Sequence, residues 1–283
     1  MDQIKNITII GLGLIGGSMA LALKKISKAT IYGIDRNKLH LDKAKELNLI
    51  DRVSTVYNIS DSDVVIIAVP VDKIASIAAD VLNKINKNAI VIDTGSIKFN
   101  ICNSLKDHPM RENFVASHPI AGTEYSGPEA AFESLFEGKK NIICDPESTR
   151  VDLLNKALDI FEAIGMKKEF MDSREHDEHI AYVSHLSHIS SFMLGKTVME
   201  IEKTDKNIFN LAGSGFESTV RLAKSSPMTW TPIFIENKNS ILKSLDEYIK
   251  NLKEFAELIS DEKFDALFEV MQSTNRIKEI LSK

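Results

Sequence analysis

The amino-acid sequence predicts an α/β domain built on a doubly wound parallel sheet, followed by an all-α domain. Three observations predict it: short apolar strands alternate with amphipathic helices in the first half, a glycine-rich loop follows the first strand, and helical periodicity takes over after residue 172. With 283 residues, the chain is long for a single hydrophobic core. We therefore expect two domains, residues 1–171 and residues 172–283.

Short apolar runs predict buried strands in the first domain, because near-continuous apolar runs are typical of parallel sheets that are covered on both faces. These runs occupy residues 7–10, 30–34, 64–69, 89–93, 114–117 and 141–144. The segments between the first four strands predict helices over residues 18–25, 38–47 and 72–85, the second of them capped by Asn37.

The second domain is expected to consist of long helices. Residues 174–202 contain no proline and predict one helix that starts from Ser173 as its N-cap. Residues 240–259 and 261–281 predict two more, in which apolar residues recur at helical spacing. This pattern indicates helices that pack on each other, either across a homodimer or within an ordinary monomeric core.

The composition narrows the class of protein. Hydrophobic residues make up 43% of the chain and charged residues 27%, so we expect a folded, soluble protein. The net charge of −5 argues against general nucleic-acid binding, and no apolar run approaches the length of about 18–20 residues that crosses a bilayer. The N-terminus runs directly into a strand without a signal peptide, and the two cysteines form no CxxC pair. We expect a cytoplasmic protein.

The glycine loop between the first strand and the first helix predicts a dinucleotide site. Gly11, Gly13 and Gly16 match GxGxxG, in which the glycines permit a tight turn, close approach of a pyrophosphate, and close helix packing. Asp35 ends the second strand, where a carboxylate binds ribose hydroxyls and repels a 2′-phosphate. This favours NAD over NADP. The neighbouring Arg36, however, offers a cation to a phosphate. The alternative is a glycine-rich turn in an unrelated α/β protein. The predicted cofactor-binding residues are Gly11, Leu12, Gly13, Leu14, Ile15, Gly16, Asp35, Arg36, Val69 and Pro70.

The substrate site is expected beyond the carboxyl ends of the parallel strands. Residues 69–70, 93–98 and 118–127 reach this edge, and Ser96 lies there at a strand-to-helix turn. His118, at the end of a strand, is a candidate general base because imidazole titrates near neutral pH. A histidine that only fixes the backbone of its loop is an equally good interpretation of the sequence.

Three of these segments, together with a fourth in the second domain, resemble prephenate dehydrogenases, enzymes of tyrosine biosynthesis. The motifs are GLGLIGGS at 11–18, DTGSIK at 93–98, HPIAGTEYSG at 118–127 and YVSHLSH at 182–188. A later stretch from Gly213 to Arg221 agrees as well, so the resemblance covers essentially the whole chain in order. It implies a Rossmann-like NAD-binding domain, a helical substrate-binding and dimerisation domain, and the oxidative decarboxylation of prephenate to 4-hydroxyphenylpyruvate.

The resemblance also implies roles for individual residues. His118 matches the family's base on the C4 hydroxyl of the substrate, and Ser96 matches a serine that hydrogen-bonds near the same hydroxyl and the nicotinamide. Glu124 is expected to pair with Arg221 and to gate entry. The residues expected to contact the substrate are Thr123, Glu124, His188 and Arg221.

The chain departs from the family pattern at two places. Glu217 and Ser218 stand in a segment where an aspartate often precedes the matching arginine, and Pro232 stands where an aspartate is common. The alternatives that remain are arogenate dehydrogenase, another small NAD(P) dehydrogenase with a helical second domain, and a non-catalytic NAD-sensing protein. Assays with prephenate and with arogenate distinguish an arogenate dehydrogenase, which oxidises arogenate, from an NAD-sensing protein, which oxidises neither compound.

A cluster of histidines raises the possibility of a metal site. The four histidines lie at positions 176, 179, 185 and 188, but the sequence has no HExxH motif and no cysteines nearby. We therefore expect no metal.

Overall fold

The structure is a computed structural model that describes residues 4–56 and 58–281. By its internal contacts the chain divides into two compact units, Met1–Lys238 and Asn239–Lys283. No helix of the described residues is long and apolar enough to cross a membrane.

The first unit is built on an eight-stranded sheet with the order β3-β2-β1-β4-β5-β6-β7-β8. Neighbouring strands are parallel except for β6 and β7, which are antiparallel. The predicted α/β architecture is thus confirmed, with one reversed strand pair. The strands are β1 (Asn6–Ile10), β2 (Thr30–Ile34), β3 (Arg52–Val53), β4 (Val64–Ile67), β5 (Ile90–Asp93), β6 (Phe114–Pro119), β7 (Lys140–Cys144) and β8 (Lys167–Met171).

Helices cover both faces of this sheet. They are α1 (Leu14–Ile26), α2 (Lys38–Glu46), α3 (Val71–Leu82), α4 (Phe99–Leu105) and α5 (Val151–Ala163). Alternate residues of the strands belong to two separate hydrophobic cores, one on each face of the sheet. Ile7 and Ile9 of β1 pack in the core with α1 and α5. Ile10 packs in the core with α3 and α4. Because both faces are buried, the strands read as continuous apolar runs in the sequence.

Two strands were not predicted. β3 has only two residues, both exposed, and β8 is a mostly exposed strand of sequence KKEFM at the end of the sheet. Neither carries the apolar pattern on which strand prediction depends. The sequence also places the end of β6 too early, since the strand continues through His118 to Pro119.

The predicted helix over residues 174–202 is present but contains a π-helical turn. It consists of α6 (Ser173–Ile180), the π-helical segment Ala181–His185 and α7 (Leu186–Glu202). The prediction of Ser173 as N-cap is wrong by one residue. The cap is Asp172, whose side chain accepts hydrogen bonds from the backbone N–H groups of Arg174 and Glu175.

The remaining helices are α8 (Ser214–Val220), α9 (Pro227–Glu236), α10 (Lys238–Ser260), α11 (Phe264–Thr274) and α12 (Ile277–Leu281). The prediction of one helix over residues 261–281 is wrong, because the helix starts later and is interrupted between α11 and α12. In the single chain, Leu252 is 51% exposed, Phe264 75% and Phe268 51%. Large apolar side chains of the second unit are thus left uncovered in the single chain.

Candidate active site

The glycine loop lies where the strand order reverses, between β1 and its two neighbours β2 and β4. Gly11 has a φ of +92°, and a Cβ on Gly16 would collide with the carbonyl oxygen of Gly11. Gly13 is the N-cap of α1, makes no side-chain cap, and faces open space where a Cβ would lie. The open space at Gly13 and the N-terminus of α1, which has no side-chain cap, suit a phosphate.

Asp35 supports this loop. Its two carboxylate oxygens accept hydrogen bonds from the backbone N–H of Leu12 at 2.9 Å and of Asn37 at 2.8 Å. Its Oδ2 also lies 3.4 Å from Nδ1 of His40, a neighbour that sequence reasoning missed. A carboxylate has about four acceptor positions, so acceptor capacity remains for ribose hydroxyls. Arg36 is exposed beside it.

The two remaining predicted cofactor residues follow β4. Val69 is half-buried, and Pro70 is exposed and forms the N-cap of α3. They lie at the carboxyl end of the strand that pairs with β1, at the edge to which the glycine loop also belongs.

His118 lies in β6, opposite Ile142 of β7, and is 9% exposed. Its Nδ1 lies 2.8 Å from Nε2 of His176, and the two rings meet edge to face. His176 Nδ1 in turn lies 2.8 Å from Oδ1 of Asp177. Burial holds the pKa of His118 well below its ordinary value, and the nearby positive charge of Lys98 lowers it as well. The side chain is thus a neutral imidazole.

Asp177 links this histidine pair to the segment that carries Ser96. Its carboxylate accepts hydrogen bonds from the backbone N–H of Lys98 at 2.7 Å and of Phe99 at 2.9 Å, at the start of α4. Ser96 itself is half-buried in the turn between β5 and α4, as predicted. One carboxylate therefore contacts both a histidine beside the candidate base and the turn of the candidate serine.

Beneath this turn lies a fully buried ion pair. Lys98 and Asp93 are both completely buried, and the Lys98 ammonium contacts the Asp93 carboxylate and donates to the carbonyl of Ser117 at 2.7 Å. Asp93 also accepts from the backbone N–H of Gly95 and of Ser117. These bonds tie the end of β5 to the residue that precedes His118.

His188 lies on α7 and stacks on Trp230 of α9, with ring centroids 3.4 Å apart. Its Nδ1 donates to the carbonyl oxygen of Ser184 at 3.0 Å, since a carbonyl only accepts. Its Nε2 is therefore left as an acceptor in the neutral ring, and burial lowers the pKa of His188 further. His185, whose pKa burial lowers to about 4, meets the same tryptophan edge-on.

Arg221 lies in the short turn after α8 and is half-exposed. Its guanidinium is 3.8 Å from the carboxylate of Glu124, so the predicted pairing is present, whereas the gating role stays a prediction. The charge of Arg221 also lowers the pKa of His188. Thr123 is exposed, and its hydroxyl accepts from the backbone N–H of Tyr125 at 3.2 Å.

Sequence reasoning missed four residues of this network: Asp93, Lys98, His176 and Asp177. A signal for two of them exists, because Asp93 and Lys98 stand at the two ends of the quoted motif DTGSIK. His176 and Asp177 lie on the buried side of α6 with Ile180, but their neighbours in the chain are polar too, which conceals the pattern. The remaining histidine of the cluster, His179, is 60% exposed and lies 3.9 Å from Glu175.

Comparisons with known proteins match this chain to one family. A family model for the nucleotide-binding domain of prephenate dehydrogenase matches residues 19–169, and a model for the dimerization domain of prephenate dehydrogenase matches residues 172–273. Cyclohexadienyl dehydrogenase of Zymomonas mobilis is 33% identical over 98% of this chain and 96% of its own length. Prephenate dehydrogenase of Bacillus subtilis is 30% identical over 95% of this chain and 74% of its own length.

Solved structures give the same result for the fold. The crystal structure of prephenate dehydrogenase from Aquifex aeolicus in complex with hydroxyphenyl propionate and NAD+ superposes with a TM-score of 0.91, at 33% identity and 99% coverage of both chains. The crystal structure of Synechocystis arogenate dehydrogenase superposes with a TM-score of 0.80, at 27% identity over 98% of this chain and 99% of that one.

The buried ion pair makes a testable contribution to stability. We expect Lys98→Met to lower the free energy of unfolding by about 3–5 kcal/mol, because it leaves the Asp93 carboxylate buried without its cation. Urea unfolding followed by circular dichroism measures this change. Lys196→Met is the control, since Lys196 pairs with Glu200 at 2.9 Å on an exposed helix face and its loss is expected to change little. Equal effects of the two substitutions would contradict the role assigned to the ion pair.

Proposed function

Because the chain belongs to the prephenate dehydrogenase family, we propose that it catalyses the NAD-dependent oxidative decarboxylation of prephenate to 4-hydroxyphenylpyruvate. In this reaction C4 of the ring loses a hydride and its hydroxyl loses a proton. The bond between the ring and its carboxylate then breaks, CO2 leaves, and the bonding electrons complete the aromatic ring. The observation that carries the proposal is a buried, neutral His118 beside the turn of Ser96 at the carboxyl edge of the sheet.

The residues of the glycine loop fit NAD. The open space at Gly13 and the uncapped N-terminus of α1 suit a pyrophosphate, and Asp35 at the end of β2 suits the ribose hydroxyls. NAD supplies the hydride acceptor when it is bound. Val69 and Pro70, after β4, lie at the same edge and are proposed to contact it.

His118 acts as the base on the C4 hydroxyl. A neutral imidazole takes the hydroxyl proton as the hydride leaves, and it returns that proton to the phenolate oxygen after the ring becomes aromatic. No net proton is then lost from the protein. Ser96, held in the turn before α4, donates a hydrogen bond near the same oxygen and orients it.

The helical part of the first unit supplies the groups for the rest of the substrate. Arg221 presents a planar guanidinium suited to a carboxylate, and a substrate carboxylate replaces the distant contact with Glu124. The free Nε2 of His188 is proposed to contact the substrate. Thr123 and Glu124 lie together in the loop after β6 and are proposed to line the rim.

Arogenate is the second candidate substrate. It differs from prephenate only by an amino group in place of the side-chain keto group, far from the bonds that change at C4. A cyclohexadienyl dehydrogenase and an arogenate dehydrogenase are among the similar proteins, which supports testing both compounds.

We also propose that the protein is a homodimer. The dimerization-domain model that matches residues 172–273 and the uncovered apolar side chains of α11 support this assembly. The two family models meet between residues 169 and 172, which supports the domains 1–171 and 172–283. The buried free cysteines Cys102 and Cys144 support a reducing, cytoplasmic location.

The central test is the substrate assay with a base variant. We expect the purified protein to form NADH with prephenate, and His118→Asn to lower kcat by about 10²–10⁴-fold because the proton acceptor is lost. The absorbance of NADH measures the rates of the parent protein and of His118→Asn, in separate assays with prephenate and with arogenate. His179→Asn, on an exposed histidine, is the control and is expected to keep the activity.

The outcomes separate the alternatives. Turnover of arogenate alone would make arogenate the substrate and leave the proposed roles of His118 and Ser96 unchanged. Turnover of neither compound by a protein that binds NAD would contradict the enzyme and favour an NAD-sensing protein. Full activity of His118→Asn would contradict the assigned base.

The cofactor preference has its own test. We expect Asp35→Ser to lower the ratio of kcat/KM for NAD to that for NADP by about tenfold, equivalent to about 1.4 kcal/mol, because the carboxylate that repels a 2′-phosphate is removed beside the exposed Arg36. Steady-state kinetics with both cofactors measure the ratio, and Asp42→Ser on the exposed side of α2 is the control. An unchanged ratio would show that Asp35 does not contact the ribose.

A further inference from the structure

The side chain of Asp177 has an unusual set of partners. It is 5% exposed, and three N–H groups converge on its carboxylate: His176 Nδ1 at 2.8 Å and the backbone N–H of Lys98 and of Phe99 at 2.7 and 2.9 Å. Its own backbone carbonyl accepts from the side chain of Asn237 at 2.7 Å. Asp177 is therefore fixed from its side chain and from its backbone.

The hydrogen bonds from Asp177 to His118 determine where protons lie. An ionised carboxylate only accepts, so His176 Nδ1 carries a proton and donates it to Asp177. A neutral His176 has no second proton, and its Nε2 then accepts from Nδ1 of His118 across 2.8 Å. A neutral His118 that donates from Nδ1 keeps its Nε2 unprotonated. The chain of bonds thus selects the tautomer of His118 whose other nitrogen is a base.

Asp177 has a second effect on His118, which is electrostatic. The groups that face His118 are His176 and Asp177 from α6, Lys98 from the turn before α4, and His185 from the π-helical segment. The Lys98 charge is matched by its ion pair with Asp93. When His118 takes a proton and becomes a buried cation, the carboxylate of Asp177, two hydrogen bonds away, is the group placed to stabilise it.

We propose that Asp177 is a positioning residue that prepares His118 and Ser96 together. Through His176 it fixes the tautomer of the base and stabilises the cation formed during the reaction. Through the N–H groups of Lys98 and Phe99 it holds the turn that carries Ser96. The kinetic consequences rest on the proposed function, whereas the tautomer of His118 does not.

Asp177→Asn tests this proposal in the full-length chain. A carboxamide of the same shape carries no charge and presents a donor where the carboxylate only accepts. We expect kcat with prephenate to fall by about 10²–10⁴-fold, with little change in the KM for NAD. The acid limb of the pH profile of kcat/KM is expected to move to lower pH, because the imidazolium of His118 loses its stabilising anion.

A readout that needs no turnover accompanies the kinetics. In protein labelled with ¹⁵N-histidine, NMR at pH 7 is expected to show His118 protonated at Nδ1 and unprotonated at Nε2, and Asp177→Asn is expected to shift it toward the opposite tautomer. His118→Asn identifies the signals. His179→Asn, on the exposed side of α6, is the control and is expected to keep both the rate and the tautomer.

A second variant separates the two effects of Asp177. His176→Gln breaks the link to His118 but keeps the bonds from Asp177 to the backbone of residues 98 and 99. We expect it to change the tautomer and the pH profile as Asp177→Asn does, while the thermal stability stays closer to that of the parent protein. It also decides the proposal if Asp177→Asn fails to fold.

The results divide cleanly. A wild-type tautomer and pH profile in both variants would overturn the proposal, even if the rate falls, because a purely structural role predicts that result. If the parent protein oxidises neither prephenate nor arogenate, the proposed function fails, and the tautomer comparison alone decides the role of Asp177.

Discussion

The buried ion pair of Lys98 and Asp93 is the interaction on which the site depends. Two opposite charges removed from water are stable only when every remaining polar group has a partner, and here Ser117 and Gly95 supply those partners. The pair therefore fixes the ends of β5 and β6 relative to each other. His118 follows Ser117 directly and pairs with Ile142 of β7, so the ion pair and the sheet together position it. The backbone of Lys98 also forms the N-cap of α4.

Burial around His118 suits this histidine to its proposed role as the base. A half-exposed histidine is partly protonated near neutral pH, whereas burial keeps His118 neutral. The reaction then creates a positive charge in a buried place, which would be costly without a nearby anion. In the proposed mechanism Asp177 is this anion, and it acts on His118 through His176. The ion pair of Arg221 and Glu124 stands in contrast, since its charged groups lie 3.8 Å apart and the Arg221 side chain is 54% exposed.

The sequence predicts what depends on local patterns and misses what depends on distant contacts. The apolar strands, the glycine loop and Asp35 were predicted because each carries its signal within a few residues. β3 and β8 were missed because exposed strands have no apolar run. The role of His176 was missed because its partner His118 lies 58 residues away in the chain. The structure has Asp172 as the N-cap where the sequence predicted Ser173. Either residue type can cap a helix, and the position of the cap depends on where the backbone turns.

The most direct test of the account follows the hydrogen at C4 of the substrate. Prephenate that carries deuterium at C4 is incubated with the protein and NAD, and the products are analysed by mass spectrometry. The account predicts deuterium in the reduced nicotinamide, none in the ring of 4-hydroxyphenylpyruvate, and one CO2 for each NADH. Deuterium retained in the aromatic product or released to water would contradict hydride transfer from C4 to the nicotinamide.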